Sequence, residues 1–204
     1  MSVATAPAVF LDRDGTLIEE VGYLDRKERV KLYPWSIDAI RVLNRAGFRV
    51  VLVSNQSGVA RGFFGEEVVS DVHRHIAGLL AAGGARIDAY YYCPHHPDGK
   101  VKDYAVACDC RKPARGMVDR AVRELAVDPA RSVVVGDRWL DVELARAVGA
   151  RGVLVRTGYG ITEEVKPRPP LVADAVVDNL IAAVGWILRN VAIADRESPI
   201  GDRI

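Results

Sequence analysis

Val9-Phe10-Leu11-Asp12-Arg13-Asp14-Gly15-Thr16 decides how the rest of the chain is read. Three apolar, β-prone residues stop abruptly at charge, and the charge arrives as two carboxylates two residues apart. On an extended segment such a pair projects to one side. Open parallel sheets gather their ligands just beyond the carboxyl ends of the strands, so a strand ending in Asp-x-Asp is a place to expect chemistry. One carboxylate can attack phosphorus while the other handles protons, and both suit Mg²⁺. Taken alone the string is ambiguous, because Asp-x-Asp-Gly also belongs to calcium loops and plain turns.

Working outward, the same kind of apolar run recurs. Val50-Val51-Leu52-Val53, Ala89 to Tyr92, Val133-Val134-Val135 and Val153-Leu154-Val155 read as strands buried on both faces, with Val176-Val177 as a weaker last one. Between them the spacing predicts helices. Ser36 is placed to cap one whose Ile37, Ile40 and Leu43 share a face and which ends near Gly47. Others are expected over 66–82, 117–126 and 141–148. The last starts at Leu180, with Val184, Ile187, Leu188 and Val191 at helical spacing. Strands alternating with helices imply an α/β fold with a doubly wound parallel sheet. One domain over 1–194 is expected, followed by a polar tail over 195–204.

Bulk properties narrow the function. With 204 residues, half of them hydrophobic, the chain can bury a proper core. A net charge of +1 supplies no global field for nucleic acid or anionic membrane, so attraction for an anion must be local. Met1 to Pro7 lacks the basic segment of a targeting signal, and the apolar stretch from Leu180 to Leu188 is too short to span a bilayer. A cytoplasmic location is the resulting expectation. The three cysteines lie between Cys93 and Cys110, which argues against a disulfide scaffold and for metal binding in a reducing compartment.

The ends of the other strands are also chemically loaded. Ser54-Asn55-Gln56-Ser57-Gly58 offers a hydroxyl, amides and a glycine turn to phosphate oxygens, although an ordinary polar loop has the same composition. Arg111-Lys112-Pro113 carries two cations able to neutralise a dianion; a solvated surface pair is the plain alternative. In Gly136-Asp137-Arg138, with Asp141 four residues on, Asp137 is either a hard metal ligand or a helix cap. Cys93-Pro94-His95 and Cys108-Asp109-Cys110 present three thiolates and an imidazole, a donor set for structural Zn²⁺, with His95 or His96 as the nitrogen ligand. The alternative is three small buried hydrophobes. A closed four-ligand site has no open position for water, so its expected task is to pin the 93–112 loop that leads into Arg111 and Lys112. His73 and His75, two apart on a helix, are expected to be ordinary helix residues.

In this order, from Val9 to about Gly158, the motifs resemble the haloacid dehalogenase superfamily. The resemblance implies Asp12 as nucleophile and Asp14 as general acid, then general base. Ser54 and Lys112 become clamps on the transferred phosphoryl group, and catalytic Mg²⁺ is held by Asp12, the Asp14 backbone carbonyl and Asp137. With Tyr91 to His96 and Cys108 to Pro113 included, the chain is similar to the heptose bisphosphate phosphatase family of the histidinol-phosphate phosphatase branch. That likeness implies removal of the 7-phosphate from a heptose 1,7-bisphosphate in nucleotide-activated heptose synthesis. It prefers His95 as the zinc ligand and turns Arg111 and Arg138 toward substrate. It also makes specificity loops of Glu20, Val21, Gly22 and Tyr23, and of Asn55, Gln56, Ser57 and Arg61. Ser54 stands where threonine is common in the family, and Arg138 where lysine often appears, keeping charge but altering donor geometry.

The partner so implied is a small phosphorylated sugar, with no nucleic acid, no membrane and a monomeric chain. Histidinol phosphate is the nearest rival substrate, needing the same catalytic groups. A polynucleotide 3′-phosphatase would call for a basic, aromatic-rich track that the composition lacks. A zinc-stabilised binding module would need Asp12, Asp14, Ser54, Lys112 and Asp137 to converge by accident.

Overall fold

The computed structural model describes residues 5–191; the expected tail over 195–204 lies outside them. Twelve main elements alternate: β1 (Ala8–Leu11), α1 (Ser36–Arg45), β2 (Arg49–Asn55), α2 (Glu66–Ala82), β3 (Ala89–Cys93), α3 (Gly116–Leu125), β4 (Val133–Gly136), α4 (Trp139–Val148), β5 (Arg151–Val155), α5 (Gly160–Glu164), β6 (Ala175–Val177) and α6 (Leu180–Asn190). The strands form one six-stranded sheet in the order β3-β2-β1-β4-β5-β6, every pairing parallel.

Both faces of the sheet are covered, which is why its strands read as unbroken apolar runs. Val9, Leu11, Val50 and Leu52 point to a layer made by Ile40 and Leu43 of α1, Ile76 and Leu80 of α2, and Val184 and Ile187 of α6. Their neighbours Phe10, Val51 and Val53 point the other way, onto Met117, Val118 and Ala121 of α3 and Leu144 and Ala145 of α4. Successive strand residues thus alternate between two cores.

β1 pairs with β2 on one side and β4 on the other, so the winding reverses between β1 and β4. A crevice opens at such a reversal, beyond the carboxyl ends of the two strands. Asp12 and Asp137 are the residues that stand there.

Two local expectations are corrected. Ser36 does not cap α1: Trp35 takes that place, and the buried Ser36 hydroxyl donates instead to the Leu17 carbonyl at 2.6 Å. Asp137 is no cap either, because Arg138 is the N-cap of α4 and Asp141 supplies the reciprocal carboxylate. The five-residue α5 has no periodic signal in the sequence. Between Thr16 and Ser36 the chain forms a compact flap, tied by bridges between Asp14 and Ile18 and between Ile18 and Leu32, rather than a cap domain. No helix among the described residues is long and apolar enough to cross a membrane.

Candidate active site

A cleft of about 270 Å³ lies over the crevice, floored by Asp12, Asp14, Lys112 and Asp137 and walled by Glu20, Tyr23, Asn55, Ser57, Arg111, Arg138 and Tyr159, among others. Buried ammonium and carboxylate groups are tolerable only when paired. Lys112, 3% exposed, bonds Asp12 Oδ1 at 2.9 Å and Asp141 Oδ1 at 2.6 Å. Burial alone would pull its pKa down; Asp12 and Asp141 outweigh that and hold it up. Asn55 fixes the Lys112 backbone, donating to its carbonyl at 3.1 Å and accepting from its N–H at 3.0 Å.

Asp12, Asp137 and Asp141 bring one oxygen each within 4.8 Å of one another. Burial, reinforced by Asp12 and Asp141, pushes Asp137 up to about 8. Asp141 rises to about 7, driven by burial against the pull of Lys112. Asp137 Oδ1 is buried and has no hydrogen-bond partner. A lone buried carboxylate oxygen among anions is what a hard cation satisfies, so the donor set fits Mg²⁺. Asp137's other oxygen accepts from the Tyr159 N–H at 2.7 Å. Gly15 and Gly158, both at positive φ, press against this carboxylate so closely that a Cβ on either would collide with it. The Thr157 hydroxyl donates to the Gly15 carbonyl at 2.6 Å, tying the loop after β5 to the Asp-x-Asp-Gly turn.

The rim carries the remaining cations. Arg111 Nη1 donates to the His95 carbonyl at 3.2 Å, so it hangs from the cysteine-bearing loop. The Arg138 guanidinium lies 4.6 Å from the centre of the Tyr159 ring, a cation–π contact. Partial burial, with Asp14 and Asp12 facing it, raises Glu20 above its usual value. Arg29 props the flap by donating to the carbonyls of Tyr23 and Val21.

Cys93, His95, Cys108 and Cys110 converge, with Sγ separations of 3.5 Å and 3.3 Å and His95 Nδ1 3.4 Å from Cys110 Sγ. A tetrahedral zinc with bonds of about 2.3 Å to sulfur would set these edges at about 3.7 Å. The cluster therefore fits zinc with little adjustment. Burial raises the Cys93 thiol and takes Cys110 to about 11, whereas at Cys108 burial is outweighed by hydrogen bonds from Cys110 and Cys93, which lower it, so the first two thiolates form most readily around a cation. His96 points elsewhere, its Nε2 3.3 Å from Arg61. His73 is buried and, chiefly through that burial, pushed down to about 3, the behaviour of a neutral helix residue packed on Tyr90.

Of the residues expected at the site, Val21, Ser54 and Arg61 do not line the cleft itself. Ser54 lies just beneath, its hydroxyl accepting from Gln56 at 2.6 Å. Three participants carry no clear mark in the sequence. Asp141 stands four residues after Asp137 and looks from sequence like a helix-start carboxylate, which it also is. Tyr159 and Gly158 sit in a loop with no motif.

Comparison with known proteins identifies the family. A family model described as polynucleotide kinase 3 phosphatase matches residues 8–139, and one described as HAD-hydrolase-like matches 109–183. A D-glycero-beta-D-manno-heptose-1,7-bisphosphate 7-phosphatase of Haemophilus influenzae is 43% identical over 84% of this chain and 93% of its own. A D-glycero-D-manno-heptose-1,7-bisphosphate 7-phosphatase of Thermosynechococcus vestitus is 44% identical, covering 91% and 97%. The crystal structure of D,D-heptose 1,7-bisphosphate phosphatase from B. bronchiseptica, complexed with magnesium and phosphate, aligns with a TM-score of 0.79 at 32% identity, covering 90% and 98%. With near-complete overlap at this identity, the chain belongs to the heptose-bisphosphate phosphatase family of haloacid dehalogenase-like hydrolases.

Proposed function

We propose that the chain removes the 7-phosphate of D-glycero-D-manno-heptose 1,7-bisphosphate through a phosphoryl group held covalently on Asp12. One observation carries the reading: a buried lysine bridges Asp12 and Asp141 beside an unpartnered Asp137 oxygen, at the sheet's crevice. Phosphoryl transfer asks mainly for positioning and charge neutralisation, and this arrangement supplies both. Asp12 attacks phosphorus, Asp14 protonates the departing sugar oxygen, and Asp14 then takes a proton from the water that frees phosphate. Lys112 and the Ser54 hydroxyl steady the transferred group. Mg²⁺, when bound through Asp12, Asp137 and the Asp14 carbonyl, supplies the neutralisation that lets a carboxylate approach a phosphate dianion.

Zinc on Cys93, His95, Cys108 and Cys110 would be structural, holding the loop from which Arg111 is suspended. Arg111 and Arg138 both line a cleft that already has Lys112 in its floor. They are the cations available for the phosphate that is not cleaved. The same cleft carries Glu20 and three aspartates, a mixed field suited to a small metal-bound substrate rather than to a polyanion track. A thiolate-rich zinc loop also suits the reducing cytoplasm.

Two comparisons test the assignment. Turnover of the heptose bisphosphate is expected to exceed that of histidinol phosphate and of a 3′-phosphorylated oligonucleotide; a preference for either rival overturns the substrate. Arg111→Ala is expected to raise KM for the bisphosphate about tenfold or more, with much less effect on a monophosphate. Equal effects on both would remove Arg111 from recognition of the second phosphate.

A further inference from the structure

Arg13 lies inside the Asp-x-Asp motif and is 1% exposed, the largest side chain buried so completely among the described residues. A guanidinium in such a place must have its donors met. Its Nε reaches both Asp14 oxygens at 3.1 and 3.2 Å, and its Nη2 reaches Asp14 at 3.0 and 3.1 Å. Nη2 also donates to Gln56 Oε1 at 2.8 Å. Gln56 closes the ring: its Nε2 donates to Asp14 Oδ2 at 3.0 Å and to Ser54 Oγ at 2.6 Å.

A primary amide has two N–H donors, and here both are committed. Gln56 borders the cleft, yet it has no free N–H to offer a substrate, and its carbonyl already serves Arg13. The network instead holds the carboxyl of Asp14, gripped by the Arg13 fork and by the Gln56 amide that is itself bonded to Arg13. Mispositioning a proton donor by about an ångström costs on the order of a hundredfold in rate.

We infer that Arg13 and Gln56 are positioning residues that lock the Asp14 carboxyl where it can serve first as acid and then as base, and that Gln56 acts through Asp14 rather than by reading the sugar. The inference rests on the proposed general acid–base role of Asp14. In the first half-reaction the bond from phosphorus to the sugar oxygen breaks as one to Asp12 forms, and the Asp14 proton passes to the sugar oxygen. In the second half, water oxygen bonds to phosphorus, the bond to Asp12 breaks, and the water proton returns to Asp14. Both halves need the same carboxyl in the same place.

The test separates proton delivery from substrate contact by leaving group. Single-turnover rates of alcohol or phenol release, which follow the first half-reaction alone, are measured with saturating enzyme for the heptose bisphosphate, benzyl phosphate and p-nitrophenyl phosphate. Benzyl and p-nitrophenyl phosphate are alike in size and lack sugar hydroxyls, but only the benzyl alkoxide needs a proton to depart. Gln56→Met removes the amide; Gln56→Glu keeps an acceptor for Arg13 and sets an anion against Asp14, so either variant carries the comparison if the other folds poorly. Both are expected to slow the bisphosphate and benzyl phosphate about 10–100-fold and p-nitrophenyl phosphate less than about threefold, with KM within about twofold.

Asp14→Asn, run beside them, is expected to show the same split more strongly. If Asp14→Asn slows both aromatic phosphates equally, Asp14 is not the acid, and the inference falls with the reading beneath it. If Asp14→Asn shows the split and the Gln56 variants do not, Asp14 stands and the inference alone is overturned.

Discussion

Asp12 and Lys112 form the contact on which the proposed chemistry turns. In the proposed mechanism, the buried ammonium at 2.9 Å from the Asp12 carboxylate tames the repulsion between that carboxylate and an incoming phosphate dianion. Asp12→Asn is therefore expected to abolish phosphate release while the thermal melt stays within a few degrees of the parent, because a near-isosteric amide preserves packing. Full turnover in a variant verified by mass spectrometry as asparagine would remove Asp12 as nucleophile. Most of this residue set can be read from the sequence, since Asp12, Ser54 and Asp137 each stand at the end of an unmistakable apolar run. Asp141 is harder, because one carboxylate serves two purposes. It accepts the Arg138 N–H as a helix-start residue and simultaneously balances Lys112, and only the first purpose leaves a local signature.

Elements act here by carrying side chains to a common point. The loop between β5 and α5 does so with almost no side chain at all. Gly158 takes φ +56° against Asp137, whose carboxylate would meet any Cβ there. Gly158→Ala is expected to cost about 1–2 kcal/mol from the left-handed backbone alone, read by urea denaturation. It should also weaken Mg²⁺ binding in a calorimetric titration as Asp137 is pushed aside; unaltered Mg²⁺ affinity would show that the cradle is not needed. Backbone conformations of this kind leave little trace in a sequence beyond the glycine itself. The cysteine loop is the opposite case: the convergence of its three thiols and His95 is legible because cysteines at those spacings have few other uses. Cys108→Ser is expected to abolish zinc in elemental analysis, lower the melting temperature by several degrees and raise KM several-fold, because Arg111 hangs from the His95 carbonyl. Retained zinc or unchanged KM would uncouple the loop from the cleft.

At the scale of the whole molecule, the sheet order brings acids from two distant stretches of chain to one crevice, and metal-free folding must bear their mutual repulsion. Asp137 and Asp141 have folded pKa values near 8 and 7, raised from an ordinary 3.8. The folded state therefore binds more protons than the unfolded state between about pH 4 and pH 8, and stability falls as pH rises through that window. Metal-free protein is expected to melt at lower temperature at pH 8 than at pH 5.5. Added Mg²⁺ should raise the melting temperature more at pH 8, where the Asp137 carboxylate is ionised and free to bind it. A metal-free melting temperature that rises with pH would contradict the crowding of these three acids. The winding that creates the crevice is readable from alternating apolar runs, because every central strand is buried on both faces. Trp35 in place of Ser36 as the α1 cap, and the short α5, are decided by tertiary contacts that no local pattern announces.

The proposed mechanism requires the side-chain oxygen of Asp12 to become bonded to phosphorus. Crystals grown with Mg²⁺ and beryllium fluoride test this directly. Tetrahedral density continuous with an Asp12 carboxylate oxygen and within reach of Lys112 Nζ is the predicted result. Beryllium fluoride seated on any other side chain, or free in the cleft with Asp12 turned away, would contradict it.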